Sequence, residues 1–334
     1  MSLLLYLAVA IIASAVIWTG STLLERSARQ LSWYYGLPVS VHGAIVVAVG
    51  SSFPEFSSVL ISTIIHDEFA LGVGAIVGSA VFNILIIPSL SAFASEKLEA
   101  TRDVVYKDGQ FYIISILVLL LTFSIGATYG PGGTTRAAVL TPTIVLIPLG
   151  TYAVYVFLQW QDAREHAGPT RVDVDLARSW GQLLLALVLI GIGVEAIVRA
   201  ALGFGALFDT PSVLWGVTVI AVGTSLPDAI VSVRAAQRDA DVTSLTNVLG
   251  SNTFNLLVAI PVGVIVAGSA TVNVLAALPM MGFLAFATIV FVVFTRTSLE
   301  LTDREALALV SLYVAFLLWM LLEAGGLIDT IPGM

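Results

Sequence analysis

The apolar positions of this chain do not alternate as in a half-buried strand, nor do they form the one-sided stripe of a surface helix. They fall in long runs separated by short polar breaks. A helix that crosses a bilayer needs about 20 apolar residues. Ten runs qualify: residues 2–24, 38–65, 69–94, 110–128, 137–160, 180–202, 212–235, 243–267, 272–295 and 304–324. The pattern predicts an all-α membrane protein of ten transmembrane helices. Its most polar stretch, residues 161–179, divides it into a first five-helix unit (residues 1–160), a linker (161–179) and a second five-helix unit (180–334).

Polar residues inside the runs are few, and they recur. Val47-Ala48-Val49-Gly50-Ser51-Ser52-Phe53-Pro54-Glu55 returns as Ile220-Ala221-Val222-Gly223-Thr224-Ser225-Leu226-Pro227-Asp228, an offset of 173 positions. Further on, Gly78-Ser79-Ala80-Val81-Phe82-Asn83 returns as Gly250-Ser251-Asn252-Thr253-Phe254-Asn255, an offset of 172, so the intervening loops differ by one residue. Gly20 and Arg26 also align with Gly193 and Arg199, which marks the first run as a retained helix and not a signal peptide; no basic residue precedes it. Five helices per unit is an odd number, so the second copy enters the membrane from the opposite side. Inverted repeats with a shared central site are a common transporter architecture.

Composition sharpens the class. The chain of 334 residues is 58% hydrophobic and 11% charged, against about 25% charged in soluble domains. The absence of cysteine removes thiolate metal sites and cysteine nucleophiles. The 14 basic residues are nowhere clustered, which argues against nucleic-acid binding. Their placement orients the chain: with both termini outside, twelve of the 14 fall in cytoplasmic loops and only Arg136 and Arg199 outside, as the positive-inside rule requires. The expected location is the cell membrane, multi-pass, with both termini extracellular.

Pro54 and Pro227 interrupt apolar helices, and proline removes a backbone donor and clashes with the preceding turn. Helices 2 and 7 are therefore expected to break at a central site. Such breaks are tolerated at membrane depth where they line a protein cavity, and the carbonyls of Ala48 and Ala221 are the expected freed ligands. Glu55 and Asp228 follow the breaks. An acidic residue at the centre of a membrane helix costs about 2.5–3.5 kcal/mol on insertion scales, and no Lys or Arg stands within either segment's membrane portion to pair with it. Ser51, Ser52, Ser79 and Asn83 from one half, with Thr224, Ser225, Ser251 and Asn255 from the other, complete a set of hard oxygen donors. That set suits Ca²⁺ or Na⁺ better than zinc or copper. Any one such residue by itself reads as helix–helix hydrogen bonding; the duplication around two carboxylates argues for the group.

Other features rank lower. Gly78 and Gly250 read as points of close helix approach. Asn247 and Asn252 have only Ala75 and Ala80 as repeat mates and stand second. Asp173-Val174-Asp175 lacks the glycine and distal glutamate of a calcium loop, and His66-Asp67-Glu68 reads as a solvated turn. His42, His66 and His166 sit near segment ends or in loops, and the apolar runs contain no nucleophile–base pair, so no enzyme activity and no cofactor is expected. The expected partners are the bilayer and transported ions, without an obligatory protein partner.

At these residues the chain resembles the cation/calcium exchanger superfamily and, within it, the prokaryotic-type sodium/calcium exchangers without regulatory domains. The family hallmark is a pair of alpha-repeats, G-[ST]-S-x-P-[ED] followed by G-S-x-x-x-[ND], and both copies stand here in order. The resemblance implies that Glu55 and Asp228 bind Ca²⁺ and also face Na⁺. It further implies that Ser51, Ser52, Ser79, Thr224, Ser225 and Ser251 complete sodium sites. Asn83 and Asn255 occupy the amide-or-acid position, where some prokaryotic and potassium-dependent members carry Asp in place of Asn255. The Glu/Asp and Asn/Asn combination is similar to that of the animal plasma-membrane exchangers. The implied function is exchange of Na⁺ for Ca²⁺; the alternative is a Ca²⁺/H⁺ antiporter using the same carboxylates, although that branch carries G-N-x-x-E where this chain has Ser and Thr.

Overall fold

The computed structural model describes residues 2–35, 48–95, 97–164, 174–324 and 326–328. Residues 38–47 of the second expected span, residues 165–173 of the linker, His42 and His166 lie outside the described residues. Eight helical segments among the described residues are long and apolar enough to cross a membrane: Leu3–Ser32, Phe69–Ala94, Val104–Tyr129, Leu176–Phe208, Ser212–Ala236, Asp241–Ala267, Val274–Ser298 and Asp303–Ala324. Two shorter helices lie between them in the chain, Phe53–Ile64 and Leu146–Arg164.

In chain order the helices are α1 (Leu3–Tyr34), α2 (Ala48–Ser51), α3 (Phe53–Ile64), α4 (Phe69–Leu85), α5 (Ile87–Ala94), α6 (Gly109–Tyr129) and α7 (Leu146–Arg164). They continue with α8 (Leu176–Phe208), α9 (Ser212–Trp215), α10 (Ala221–Ala236), α11 (Asp241–Phe254), α12 (Ile260–Ala267), α13 (Val274–Ser298) and α14 (Asp303–Ala324). Burial separates centre from rim. In α4 every residue but Ala70 is buried, as expected of a helix apolar all round. The windows of Phe69–Ala94 and Asp241–Ala267 are 89% and 83% buried, against 17% for Leu3–Ser32. The rim helices turn Leu4, Ile11, Leu117, Ile192 and Leu318 outward, the surface a lipid phase requires.

The two longest helices, α1 and α8, pack along their length in opposite directions. Tyr6 meets Phe204 at one end, with ring centroids 5.6 Å apart, and Gln30 Oε1 accepts from Ser179 Oγ at the other, 3.1 Å. Midway, Gly20 lies against Ile190 and Gly193 against Ile17; a Cβ on either glycine would come within 2.8 Å or 2.7 Å of the opposing isoleucine. Gly20 and Gly193 are repeat mates, and so are Ile17 and Ile190, so the second contact is the first with the two halves exchanged. The α8 N-terminus is capped by Asp175, whose carboxylate accepts from the Arg178 backbone N–H at 3.0 Å; this is the role of the Asp173-Val174-Asp175 stretch within the described residues.

Two short ribbons join the halves: β1 (Leu98–Glu99) pairs antiparallel with β4 (Glu300–Leu301), and β2 (Ala137–Leu140) with β3 (Ala270–Asn273). The ribbon corrects the expected span 137–160, whose first residues are strand. Pro142 follows Thr141, and the residues leading into a proline favour extended backbone over helix.

The helix breaks are also partly corrected. In the first half the chain turns at Ser52, between α2 and α3, with Pro54 in the first turn of α3. In the second half α10 runs through Pro227 without interruption. The irregularity lies earlier, in a π turn at Gly216–Ile220, where an extra residue per turn loosens the backbone ladder. Another π turn explains a register change between the repeats. Asn83 and Asn255 are 172 apart, but Pro88 and Pro261 are again 173 apart. The one inserted residue falls between Asn255 and Pro261, and the π turn Asn255–Ala259 holds it.

Candidate functional site

Helices α3, α4, α10 and α11 meet at the centre and bring the repeated polar residues together. Glu55 stands in the first turn of α3, where the free N–H groups of a helix start favour an anion. Asp228 has no such placement; it sits in mid-helix, one residue after Pro227. Both are fully buried. Neither forms an ion pair with Lys, Arg or His among the described residues.

The hydroxyls cross between the halves. Ser52 Oγ lies 2.6 Å from Ser251 Oγ, and Ser79 Oγ lies 2.7 Å from Ser225 Oγ. Ser52 and Ser225 are repeat mates, as are Ser79 and Ser251, so each pair maps onto the other when the halves are exchanged. The carboxylates follow the same rule: Ser79 donates to Glu55 Oε1 at 3.3 Å, and Ser251 to Asp228 Oδ2 at 2.5 Å. Glu55 Oε1 also accepts from Ser225 at 3.1 Å, and Asp228 Oδ2 from Asn83 Nδ2 at 3.2 Å.

Each carboxylate thus has one oxygen engaged and one left over. Nine buried side-chain polar atoms have no hydrogen-bond partner among the described residues, and five are here: Glu55 Oε2, Asp228 Oδ1, Asn83 Oδ1 and both amide atoms of Asn255. A buried polar group without a partner costs roughly 1–3 kcal/mol. Four of the five are acceptor oxygens, supplied by two carboxylates and two amides. The complement they lack is positive charge without an acceptor of its own, which is what a hard cation provides. No group of three or more His, Cys, Asp or Glu side chains among the described residues could hold a metal ion, so the amide oxygens are needed to complete the oxygen set.

Not every expected residue points into this cluster. Thr224 turns its Oγ1 back along the helix to the carbonyls of Ile220 (3.0 Å) and Ala221 (3.3 Å). Ala221 is thereby engaged, and the carbonyl deprived of its helical donor by Pro227 is that of Gly223, four residues earlier. By the same spacing Pro54 deprives Gly50. Ala48 is the first described residue of α2. Ser51 donates to Asn247 Oδ1 at 3.4 Å, Asn247 Nδ2 donates to Ser232 Oγ at 3.2 Å, and both side chains also face the Asp228 carboxylate, so Ser51 belongs to the cluster. Asn252, second in rank by sequence, is central: its Oδ1 accepts from Asn83 Nδ2 at 3.1 Å, and its Nδ2 donates to the Ala80 carbonyl and to Tyr112 Oη, each at 3.1 Å. A lone tyrosine in an apolar helix gives no signal, so Tyr112 was not legible. The His66 turn is more than a solvated loop. His66 Nε2 is 2.9 Å from Glu195 Oε2 on α8, and Glu68 Oε2 accepts from Ser212 Oγ at 2.9 Å.

A helical membrane protein with a buried, oxygen-lined, charge-deficient centre between repeated helices belongs to the class of membrane cation transporters. The family model described as sodium/calcium exchanger protein matches residues 5–161 and 178–322, and the chain belongs to that family of antiporters. It is 24% identical over 331 residues to the sodium/calcium exchanger MaX1 of Methanosarcina acetivorans, covering 89% of this chain and 93% of that one. It is also 25% identical over 263 residues to the inner membrane protein YrbG of Escherichia coli, covering 75% and 78%. Among solved structures, a sodium-calcium exchanger NCX_Mj soaked with Na⁺ and Ca²⁺ superposes with a TM-score of 0.63 at 21% identity, over 94% of this chain and 98% of that one. At that identity the likeness speaks for the fold.

Proposed function

We propose that this chain exchanges Na⁺ for Ca²⁺ by alternating access, with both ions using the central oxygen cluster in turn. The observation that carries the reading is a set of four oxygens without a donor among the described residues, Glu55 Oε2, Asp228 Oδ1, Asn83 Oδ1 and Asn255 Oδ1, supplied by two buried carboxylates and two buried amides, the carboxylates having no cationic partner among those residues. Ser79, Ser225, Ser251 and Asn83 hold the other carboxylate oxygens, and those three serines, with Ser51 and Ser52, are candidates for Na⁺ ligation.

The charge balance sets the stoichiometric logic. Two ionised carboxylates carry −2, which one Ca²⁺ or two Na⁺ neutralise; a third Na⁺ leaves +1. Three-for-one exchange is then electrogenic. An empty, doubly negative site is costly to move through the membrane, which suppresses leak. The architecture is ten passes in two inverted halves, residues 1–160 and 180–334, with both termini outside. On this reading Phe53–Ile64 and Leu146–Arg164 count as passes beside the eight long segments. The opposed packing of α1 on α8 and the exchange of the serine pairs support inversion.

The test is Ca²⁺ uptake into proteoliposomes loaded with Na⁺ and diluted into Na⁺-free buffer. Uptake that requires internal Na⁺ and is enhanced by inside-positive potential is expected. Uptake indifferent to Na⁺ but driven by an imposed pH gradient would overturn it in favour of proton coupling.

A further inference from the structure

The two amides of the oxygen cluster are not equivalent, although they are repeat mates. Asn83 makes two hydrogen bonds through Nδ2 and leaves Oδ1 free; Asn255 makes none through either atom. The cause lies one step away, at a position where the repeats differ. Asn252 stands on α11 where the first half has Ala80 on α4, and the two mates touch: Asn252 Nδ2 donates to the Ala80 carbonyl.

That contact fixes the orientation of two side chains in sequence. A backbone carbonyl only accepts, so the Asn252 amide must turn its NH₂ toward Ala80, and Tyr112 Oη can accept the second N–H. Its Oδ1 then faces Asn83, and Asn83 can meet it only with its own NH₂, the group it also turns to Asp228 Oδ2, so Asn252 and Asp228 hold the amide in one orientation together. The Asn83 Oδ1 is left buried and without a donor, as is Asp228 Oδ1. Position 80 has no side chain able to do the same for Asn255.

We propose that Asn252 is a positioning residue for Ca²⁺ binding: anchored by the Ala80 carbonyl, it orients the Asn83 amide so that its oxygen, and not its NH₂, faces the ion. A flip of the Asn83 amide would present two N–H donors to the cation. Partners that orient metal ligands are typically worth about 10–100-fold in affinity. A divalent ion feels a misdirected dipole twice as strongly as a monovalent one at the same distance, so Ca²⁺ loses more than Na⁺. The asymmetry thereby tunes selectivity within a nearly twofold site. The inference rests on the central cluster being the ion site.

The experiment is a double-mutant cycle in proteoliposomes, reading half-saturation for Ca²⁺ and for Na⁺ and maximal rate in Asn252→Ala, Asn83→Ala and the double variant, with Glu55→Gln alongside. Asn252→Ala is expected to raise the Ca²⁺ half-saturation about tenfold, to raise that for Na⁺ less, and to add nothing to Asn83→Ala. A merely structural residue would instead lower the rate for both ions and add its loss on top of Asn83→Ala, which would overturn the proposal. If Asn252→Ala fails to fold, Asn252→Leu, close in volume but without an acceptor, is expected to show the same Ca²⁺ defect; wild-type Ca²⁺ half-saturation in it would overturn the proposal. Loss of Ca²⁺ transport in Glu55→Gln with wild-type behaviour in Asn252→Ala would defeat this inference alone, whereas full transport in Glu55→Gln would defeat the ion site itself.

Discussion

Gly78→Ala is expected to damage both the fold and the site. Gly78 lies on α4 against the π turn at Gly216–Ile220. A Cβ there would stand 2.1 Å from the Val217 carbonyl oxygen and 2.7 Å from its C and Cα. All three neighbours are backbone, so no rotamer change relieves the clash. Ordinary contact begins near 3.4 Å, so the helices must separate by about 1 Å or more. The next residue, Ser79, is 2.7 Å from Ser225 Oγ and 3.3 Å from Glu55 Oε1; the same displacement carries both contacts past hydrogen-bonding range. Overpacking costs typically about 1–3 kcal/mol, and a lost hydrogen bond about 1 kcal/mol more. We therefore expect a lowered unfolding midpoint in detergent and, since about 1.4 kcal/mol is tenfold, a Ca²⁺ half-saturation raised about tenfold. Gly282→Ala on α13 is the control, because a Cβ there meets nothing within 4 Å; it should be neutral in both assays. Wild-type midpoint and half-saturation in Gly78→Ala would refute the reasoning.

Three further outcomes are expected. Pro227→Ala restores a backbone donor for the Gly223 carbonyl, so thermal unfolding should hold or improve while Ca²⁺ uptake falls if that carbonyl serves the ion. Asn255→Asp places a third carboxylate where the amide has no partner; uptake assays should show tighter Ca²⁺ binding with slower turnover. His66→Ala removes the contact to Glu195, whose partners are 15% and 22% exposed; such a partly exposed pair is worth about 1 kcal/mol or less, so calorimetry should show a small destabilisation with exchange retained.

The class of fold and most of the cluster were legible because membrane burial leaves few polar positions, and duplication separates functional ones from packing. Gly78 was readable for the same reason, as a close approach, and the structure gives it a definite neighbour in Val217. What escaped is local geometry set by tertiary contacts. Pro227 reads as a helix break, but the helix runs through it and the irregularity lies upstream, in the π turn Gly216–Ile220. Thr224 reads as a ligand, yet its hydroxyl satisfies carbonyls of its own helix. Residues 137–140 read as membrane helix, yet they pair with a strand more than a hundred residues away. Asn252 was undervalued because its repeat mate is an alanine, and the departure from symmetry is what links it to Asn83.

The most direct measurement is Ca²⁺ binding to the purified protein by titration calorimetry, with and without Na⁺, in the wild type and in Glu55→Gln and Asp228→Asn. Saturable Ca²⁺ binding that Na⁺ displaces, lost in both variants while their unfolding midpoints persist, is the expected result. Undiminished Ca²⁺ binding in both variants would contradict a shared ion site at these carboxylates.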